Sequence, residues 1–298
     1  MVEPRAPRPA RRIPFTKLHG CGNDYVYLDA WDGALPADLP GFARTVSNRH
    51  TGIGSDGLIV IGPTPAGIKA DLRMDMWNAD GTVSEMCGNG IRCAAKLAAD
   101  HGRVRGESIR IATGAGVLTV DLQRNGREVI GASVSMGVPR LTPDQVPVVA
   151  TGKGPAKIAI KIGTTTYSVL AVGMGNPHAV TFVKDVEKAA VEVVGPQIET
   201  HEKFPKRTNV EFVARLPDEG GIAVLRQRTW ERGAGETQAC GTGACAATVA
   251  AILAGHITTR EAIVRLNGGD LRISWPADDA EVRMTGPAVM VYSGVWPG

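Results

Sequence analysis

At 298 residues the chain has room for two ordinary domains or one large one, with a sizeable core. Hydrophobic residues at 43% and charged residues at 21% are ordinary for a globular protein, and the longest weakly polar run, Ala244 to Gly255, is far shorter than the roughly 20 residues a bilayer requires, which excludes a spanning helix. The net charge of +3 is accounted for by Arg5, Arg8, Arg11 and Arg12 against Glu3, so the rest of the chain is formally neutral and offers no basic face for nucleic acid.

In chain order, residues 1–12 (MVEPRAPRPARR) are rich in proline and arginine and lack an apolar h-region. They read as a disordered basic extension rather than a secretory signal. Apolar, β-branched stretches then mark strands at Tyr25 to Leu28, Leu58 to Ile61, Ile109 to Ile111 and Val117 to Leu122. A second series follows at Lys157 to Ile162, Thr166 to Val172, Ala179 to Val183, Val210 to Val213 and Ile222 to Gln227. Gly and Pro interrupt these runs often, which favours short strands and frequent turns. Two alanine-rich segments read as helices, Ile91 to Asp100 and Ala244 to Ala254, each following a Gly-x-Gly turn. The second is apolar nearly all round, which predicts a buried central helix.

The two series are copies of each other. Gly20-Cys21-Gly22-Asn23 recurs as Gly173-Met174-Gly175-Asn176, Trp77 as Trp230, and Cys87-Gly88-Asn89-Gly90 as Cys240-Gly241-Thr242-Gly243, all displaced by 153 residues. Three blocks in one register point to a duplicated unit of about 150 residues. The expected class is α+β: two pseudo-symmetric domains, each a mixed or antiparallel sheet wrapped around a central helix, with the site in the cleft between them. The expected boundaries are 13–135 for the N-terminal domain, with segment 286–298 returning to it, and 136–285 for the C-terminal domain.

Five cysteines, an odd number in a large chain without a signal peptide, suggest a reducing cytoplasm rather than a disulfide framework. The intervals 87 to 93 and 240 to 245 are not CxxC pairs and no HxxxH accompanies them, so the spacing does not point to zinc. Cys93 and Cys245 lie within the helices and read as small buried hydrophobes, as does Cys21, whose repeat partner is Met174. Cys87 and Cys240 each precede a helix start, where free N–H groups and the helix dipole favour thiolate and can hold a carboxylate. Two such thiols, presented from opposite sides by a pseudo-twofold, suit inversion at a carbon: one removes a proton from one face and the other delivers one to the opposite face.

These residues resemble the diaminopimelate epimerase family. The likeness is carried by Lys17-Leu18-His19-Gly20-Cys21-Gly22-Asn23-Asp24, Trp77-Asn78-Ala79-Asp80-Gly81, Met86 to Cys93, Gly175-Asn176-Pro177-His178, Thr208-Asn209-Val210-Glu211-Phe212, and Trp230 to Thr237 followed by Ala239 to Gly243. It runs from about Ile13 to the C-terminus. The resemblance implies epimerisation of LL-2,6-diaminopimelate to the meso form in lysine and peptidoglycan precursor synthesis, without pyridoxal phosphate, metal or other cofactor, by a cytoplasmic homodimer.

By that resemblance Cys87 and Cys240 are the acid and base, and Gly88, Asn89, Gly241 and Thr242 hold the reacting end of the substrate. Asn23, Asn78, Asn176, Asn209, Glu231 and Arg232 bind its amino and carboxylate groups, while His178 and Glu231 tune the thiols. Arg232 suits a carboxylate as a fork and Glu231 an ammonium as an acceptor. One departure is Ser55-Asp56-Gly57, where many relatives carry Asp-Gln with the glutamine contacting substrate. Competing readings are a proline racemase-like enzyme of the same fold, a thiol redox protein pairing Cys87 with Cys240, and a binding module that exchanges no α-hydrogen.

Overall fold

A computed structural model describes residues 12–31, 33 and 35–297; the expected extension at 1–12 lies, apart from Arg12, outside the described residues. The first half runs β1 (Ile13–Gly20), β2 (Asn23–Asp29), α1 (Leu39–Ser47), β3 (Gly57–Gly62), β4 (Leu72–Asn78), β5 (Val83–Ser84), α2 (Gly88–Asp100), β6 (Ser108–Thr113), β7 (Gly116–Asn125) and β8 (Glu128–Ser135). The second runs β9 (Lys157–Ile162), β10 (Thr165–Gly173), β11 (Pro177–Phe182), α3 (Val191–Glu199), β12 (Asn209–Glu219), β13 (Ile222–Glu231), β14 (Gly235–Thr237), α4 (Gly241–Leu253), β15 (Glu261–Arg265), β16 (Asp270–Ser274), β17 (Arg283–Pro287) and β18 (Val289–Trp296).

The displacement of 153 residues holds through the whole order, and it carries α2 onto α4 residue for residue. Pairing is duplicated too. β2 runs parallel to β3 as β11 does to β12, and β4 parallel to β6 as β13 to β15. The flanking strand swaps its place in the chain: β18 pairs antiparallel with β1, whereas β9 pairs antiparallel with β10. β8 and β17 pair antiparallel and join the halves. The class read from the sequence, two pseudo-symmetric α+β domains, is the fold observed.

Each sheet closes around one helix. α2 packs on β1, β2, β3, β7 and β8, and α4 on β10 to β13, β15 and β16. Residues Gly243 to Ala251 of α4 are all buried, and its alanines keep the helix slim enough to be encircled by strands. The sequence-read strands all fall on observed ones. The reading omitted β1, β4, β5, β8, β14 and the C-terminal strands, and the short helices α1 and α3.

Both central helices begin three residues earlier than expected, at Gly88 and Gly241. The Gly-x-Gly segment is the first helical turn, because the cysteine before it caps the third N–H of that turn.

The halves also interlock at a turn. Cys21 adopts φ 54° between β1 and β2 and is buried in the core of the second half with Met174, its sulfur facing the carbonyl of Asp270 at 3.7 Å. Cys93 and Cys245 are buried inside their helices, as expected.

Candidate active site

Cys87 and Cys240 are the N-cap residues of α2 and α4, both in extended backbone conformation. Each sulfur accepts from the N–H three residues on: Gly90 at 3.5 Å and Gly243 at 3.3 Å. A helix leaves its leading N–H groups unsatisfied, and a polarisable sulfur in the cap position takes one of them.

The two first turns meet the same side chain. A Cβ on Gly88 would lie 2.5 Å from Cε of Met284, and one on Gly241 would lie 2.9 Å from its Sδ. Met284 is fully buried, so the glycines following both cysteines close on the end of one methionine side chain. The first turns that the two cysteines cap thus meet at one side chain.

Beside them opens a cleft of ≈ 840 Å³ lined from both halves. The first half contributes Asn23, Tyr25, Arg49, Asp56 and Asn78, and the second contributes Glu231, Arg232, Thr237 and Ala239. On the first side, Cys87 Sγ donates to Asn23 Oδ1 at 3.3 Å, and Asn23 Nδ2 donates to Asp56 at 2.7 Å. Asn89 Nδ2 also reaches Asn23 Oδ1, at 3.4 Å. On the second side, Cys240 Sγ lies 3.5 Å from the hydroxyl of Thr242, which receives Nδ2 of Asn176, also at 3.5 Å. Behind Asn176 stands His178, with Nε2 2.8 Å from Asn176 Oδ1 and Nδ1 2.7 Å from the carboxylate of Glu211. Both His178 and Glu211 are fully buried.

Of the residues singled out from the sequence, Asn23, Asn78, Glu231 and Arg232 line the cleft, and Gly88, Asn89, Asn176, Gly241 and Thr242 cluster at the helix starts. Asn78 donates to Thr82 at 2.9 Å, and Glu231 accepts from Thr237 at 2.5 Å. Arg232 also borders a second cavity of ≈ 270 Å³ with Arg140 and Lys206. His178 is linked to Cys240 through Asn176 and Thr242. Asn209 sits apart: buried, it donates to the carbonyl of Pro177 and accepts from the N–H of Arg232 at 2.8 Å, so it fixes the backbone of Arg232.

Gly57 has a steric cause. A Cβ there would overlap the carbonyl oxygen of Trp77 across the β3–β4 pairing, so glutamine has no room at this position. Asp56 turns into the cleft instead.

Burial pushes the Cys87 thiol up, and the N–H of Gly90, the Tyr25 hydroxyl, the N–H of Asn89 and the Arg92 guanidinium oppose it without overturning it. Burial pushes Cys240 up further, joined by the carboxylates of Glu231 and Glu211; Thr242 and the N–H of Gly243 oppose. The expectation that a helix start alone favours thiolate is corrected here, because desolvation outweighs it. The carboxyl of Glu231 is raised as well, chiefly by burial, with Glu211 and Asp56 adding to it against Thr237 and His178. Asp56 of the first half therefore acts on Glu231 of the second across the cleft.

Four residues at the site escaped the sequence reading. Arg92, fully buried, bonds Gly88 O at 3.0 Å and Asn89 Oδ1 at 2.8 Å; a charge inside an alanine-rich helix was the available signal. Tyr25 could have been found as the partner of His178 at the displacement of 153. Asp56 and Met284 carried no local signal.

The chain matches the family model for diaminopimelate epimerase over residues 15–142 and 170–291. It is 48% identical over 283 residues to a diaminopimelate epimerase of Moorella thermoacetica, covering 95% of this chain and 99% of that one. It is 44% identical over 284 residues to one from Methanococcus maripaludis strain C6, with the same coverage. Among solved structures, a phenazine biosynthesis protein of the PhzF family from Bacillus anthracis superposes with a TM-score of 0.70 at 14% identity, covering 96% of this chain and 99% of that one. A hydroxyproline epimerase from Agrobacterium vitis does so with 0.61 at 15%, covering 96% and 91%. At those identities the likeness concerns the fold alone.

Proposed function

Because this chain belongs to the diaminopimelate epimerase family, we propose that it interconverts LL- and meso-2,6-diaminopimelate with Cys87 and Cys240 as exchanging base and acid. One sulfur, as thiolate, takes the α-hydrogen as a proton and becomes a thiol. The other, as thiol, gives its proton to the opposite face of the carbanion and becomes a thiolate. No electrons are transferred and no proton is gained or lost overall, and the pair ends poised for the reverse reaction. The α-carboxylate rests on the first turns of α2 and α4, at Gly88 and Asn89 and at Gly241 and Thr242, where N–H groups stabilise charge developing in a water-poor site.

The polar groups around the cleft fit a substrate with two ammonium and two carboxylate ends. Asp56 and Glu231 offer acceptors to an ammonium, and Arg232, its backbone held by Asn209, offers a fork to the distal carboxylate. Asn23, Asn78 and Asn176 supply amides between these ends. His178 and Glu231 tune Cys240, the first through Asn176 and Thr242 and the second by its charge. No cofactor enters this scheme.

The observation that carries the reading is the duplicated pair of cysteine caps closed on Met284 beside a cleft lined from both halves. The proposal extends to a role in lysine and peptidoglycan precursor synthesis, to a cytoplasmic location, supported by five free cysteines, and to domain limits at 13–135 and 136–285 with 286–298 returning to the first. A homodimer is part of it, supported by Val289, Met290, Val291, Tyr292 and Val295, which expose apolar surface along β18.

The test is incorporation of deuterium from D₂O at the α-carbon of LL-diaminopimelate, with proline as the control substrate. Cys87→Ala and Cys240→Ala should each abolish epimerisation while the circular dichroism spectrum is retained. Undiminished turnover in either variant, or turnover of proline alone, would refute the assignment.

A further inference from the structure

The duplication equips the two sulfurs differently. Asn23 and Tyr25 of β2 stand in register with Asn176 and His178 of the second half. Each asparagine serves its own thiol directly or through one hydroxyl. His178 is anchored to the buried carboxylate of Glu211. At the equivalent place the first half presents a phenol. Tyr25 is buried and lines the cleft, and a Cβ on Gly90 would lie 3.8 Å from its Cε2 and 3.4 Å from Cβ of Cys87, so ring and thiol are neighbours.

The fold makes room for this ring. Tyr25 pairs with Gly57 in the parallel β2–β3 ladder, and a Cβ on Gly57 would lie 3.1 Å from Cε1 of Tyr25. Glycine at 57 leaves the ring a slot between β3 and the cap of α2. The departure at Ser55-Asp56-Gly57 is the open side of that slot.

Resting on the reading of Cys87 as an acid–base group, we propose that Tyr25 is a positioning residue for the reaction: its O–H donates to the Cys87 sulfur, fixes its direction and favours its thiolate form. A phenol in this place remains a donor, since burial first, then the nearby Cys87 and Asp56, push its ionisation well above the usual range. The other charged or titratable groups facing the pair are Arg92 and Cys93 of α2, Tyr27 of β2 and Asp56 ahead of β3. Burial holds Tyr27 and Cys93 neutral, with Cys93 pushed up to about 12.

The test reads the thiol without turnover. Iodoacetamide alkylation of Cys87 is followed by peptide mass spectrometry against pH in Cys240→Ala and in Cys240→Ala with Tyr25→Phe. Losing one hydrogen bond to a charged acceptor should raise the midpoint by about one pH unit, roughly tenfold less thiolate at any pH below both midpoints. A folded double variant with an unmoved midpoint overturns the proposal.

A second measurement uses Tyr25→Phe with Cys240 intact. The acid limb of kcat/KM should move up for the isomer that Cys87 deprotonates, and the alkaline limb should move up for the other isomer. A loss of rate with both limbs in place would mean that Tyr25 only packs, and overturns the proposal equally. Absence of diaminopimelate turnover in the parent protein would instead count against the epimerase reading, while the alkylation profile still decides the role of Tyr25.

Discussion

Met284 offers the sharpest test of how the site is assembled. It belongs to β17, is fully buried, touches the starts of α2 and α4 through Gly88 and Gly241, and accepts from Arg92 Nη1 at 3.8 Å. Met284→Ala removes the side chain that spaces the two first turns and leaves a cavity between them. Deleting a buried methionine to alanine costs about 2–5 kcal/mol, the transfer of the lost atoms plus the cavity. For a chain of this size that corresponds to a fall in Tm of roughly 3–8 °C.

On the proposed mechanism the rate should fall as well, because there the two sulfurs address one carbon from opposite faces. A displacement of about 1 Å at a reacting group can cost on the order of 10²-fold. Thermal unfolding and kcat/KM for LL-diaminopimelate, measured on the same preparation, give both quantities. Met284→Leu, which nearly conserves volume, should lose less than about 1.5 kcal/mol and keep most of the rate. An alanine variant within about 1 kcal/mol of the parent and undiminished in kcat/KM would show that the methionine does not set the spacing.

Other consequences concern single groups. Burial pushes the Asp24 carboxyl up, but its pairs with Arg49 at 2.7 Å and Lys17 at 2.8 Å outweigh this and hold it below the usual range. Its stabilising contribution is therefore present above the unfolded carboxyl range and is lost as pH falls through the lower folded value. Asp24→Asn should be less stable by about 1–3 kcal/mol at pH 7, and denaturant titrations should converge with the parent in strong acid. Burial pushes the Cys93 and Cys245 thiols up to about 12. Iodoacetamide at pH 8 should therefore leave those two untouched until unfolding, as read by peptide mass spectrometry. Gly57→Ala forces a Cβ against the carbonyl of Trp77, and calorimetry should show a loss of about 1–3 kcal/mol or more.

The chain by itself determined the duplication, the α+β class and the two cysteines, because each rests on a pattern that survives without coordinates. A displacement of 153 residues is visible in four-residue blocks, and a cysteine before Gly-x-Gly and an apolar alanine-rich run marks a helix start in any context. It could not order the groups around those sulfurs. Met284 lies 197 positions from Cys87 in the sequence, Arg92 hides among alanines, and Asp56 sits in a turn that reads as ordinary loop. Only the tertiary structure decided that a methionine lies against the two helix starts, that Asp56 and Glu231 line one cleft, and that Tyr25 packs beside the turn that Cys87 caps. It set the direction of the thiols' shift too: a helix start favours thiolate locally, but packing around Cys87 and Cys240 pushes both thiols up, burial being the larger effect.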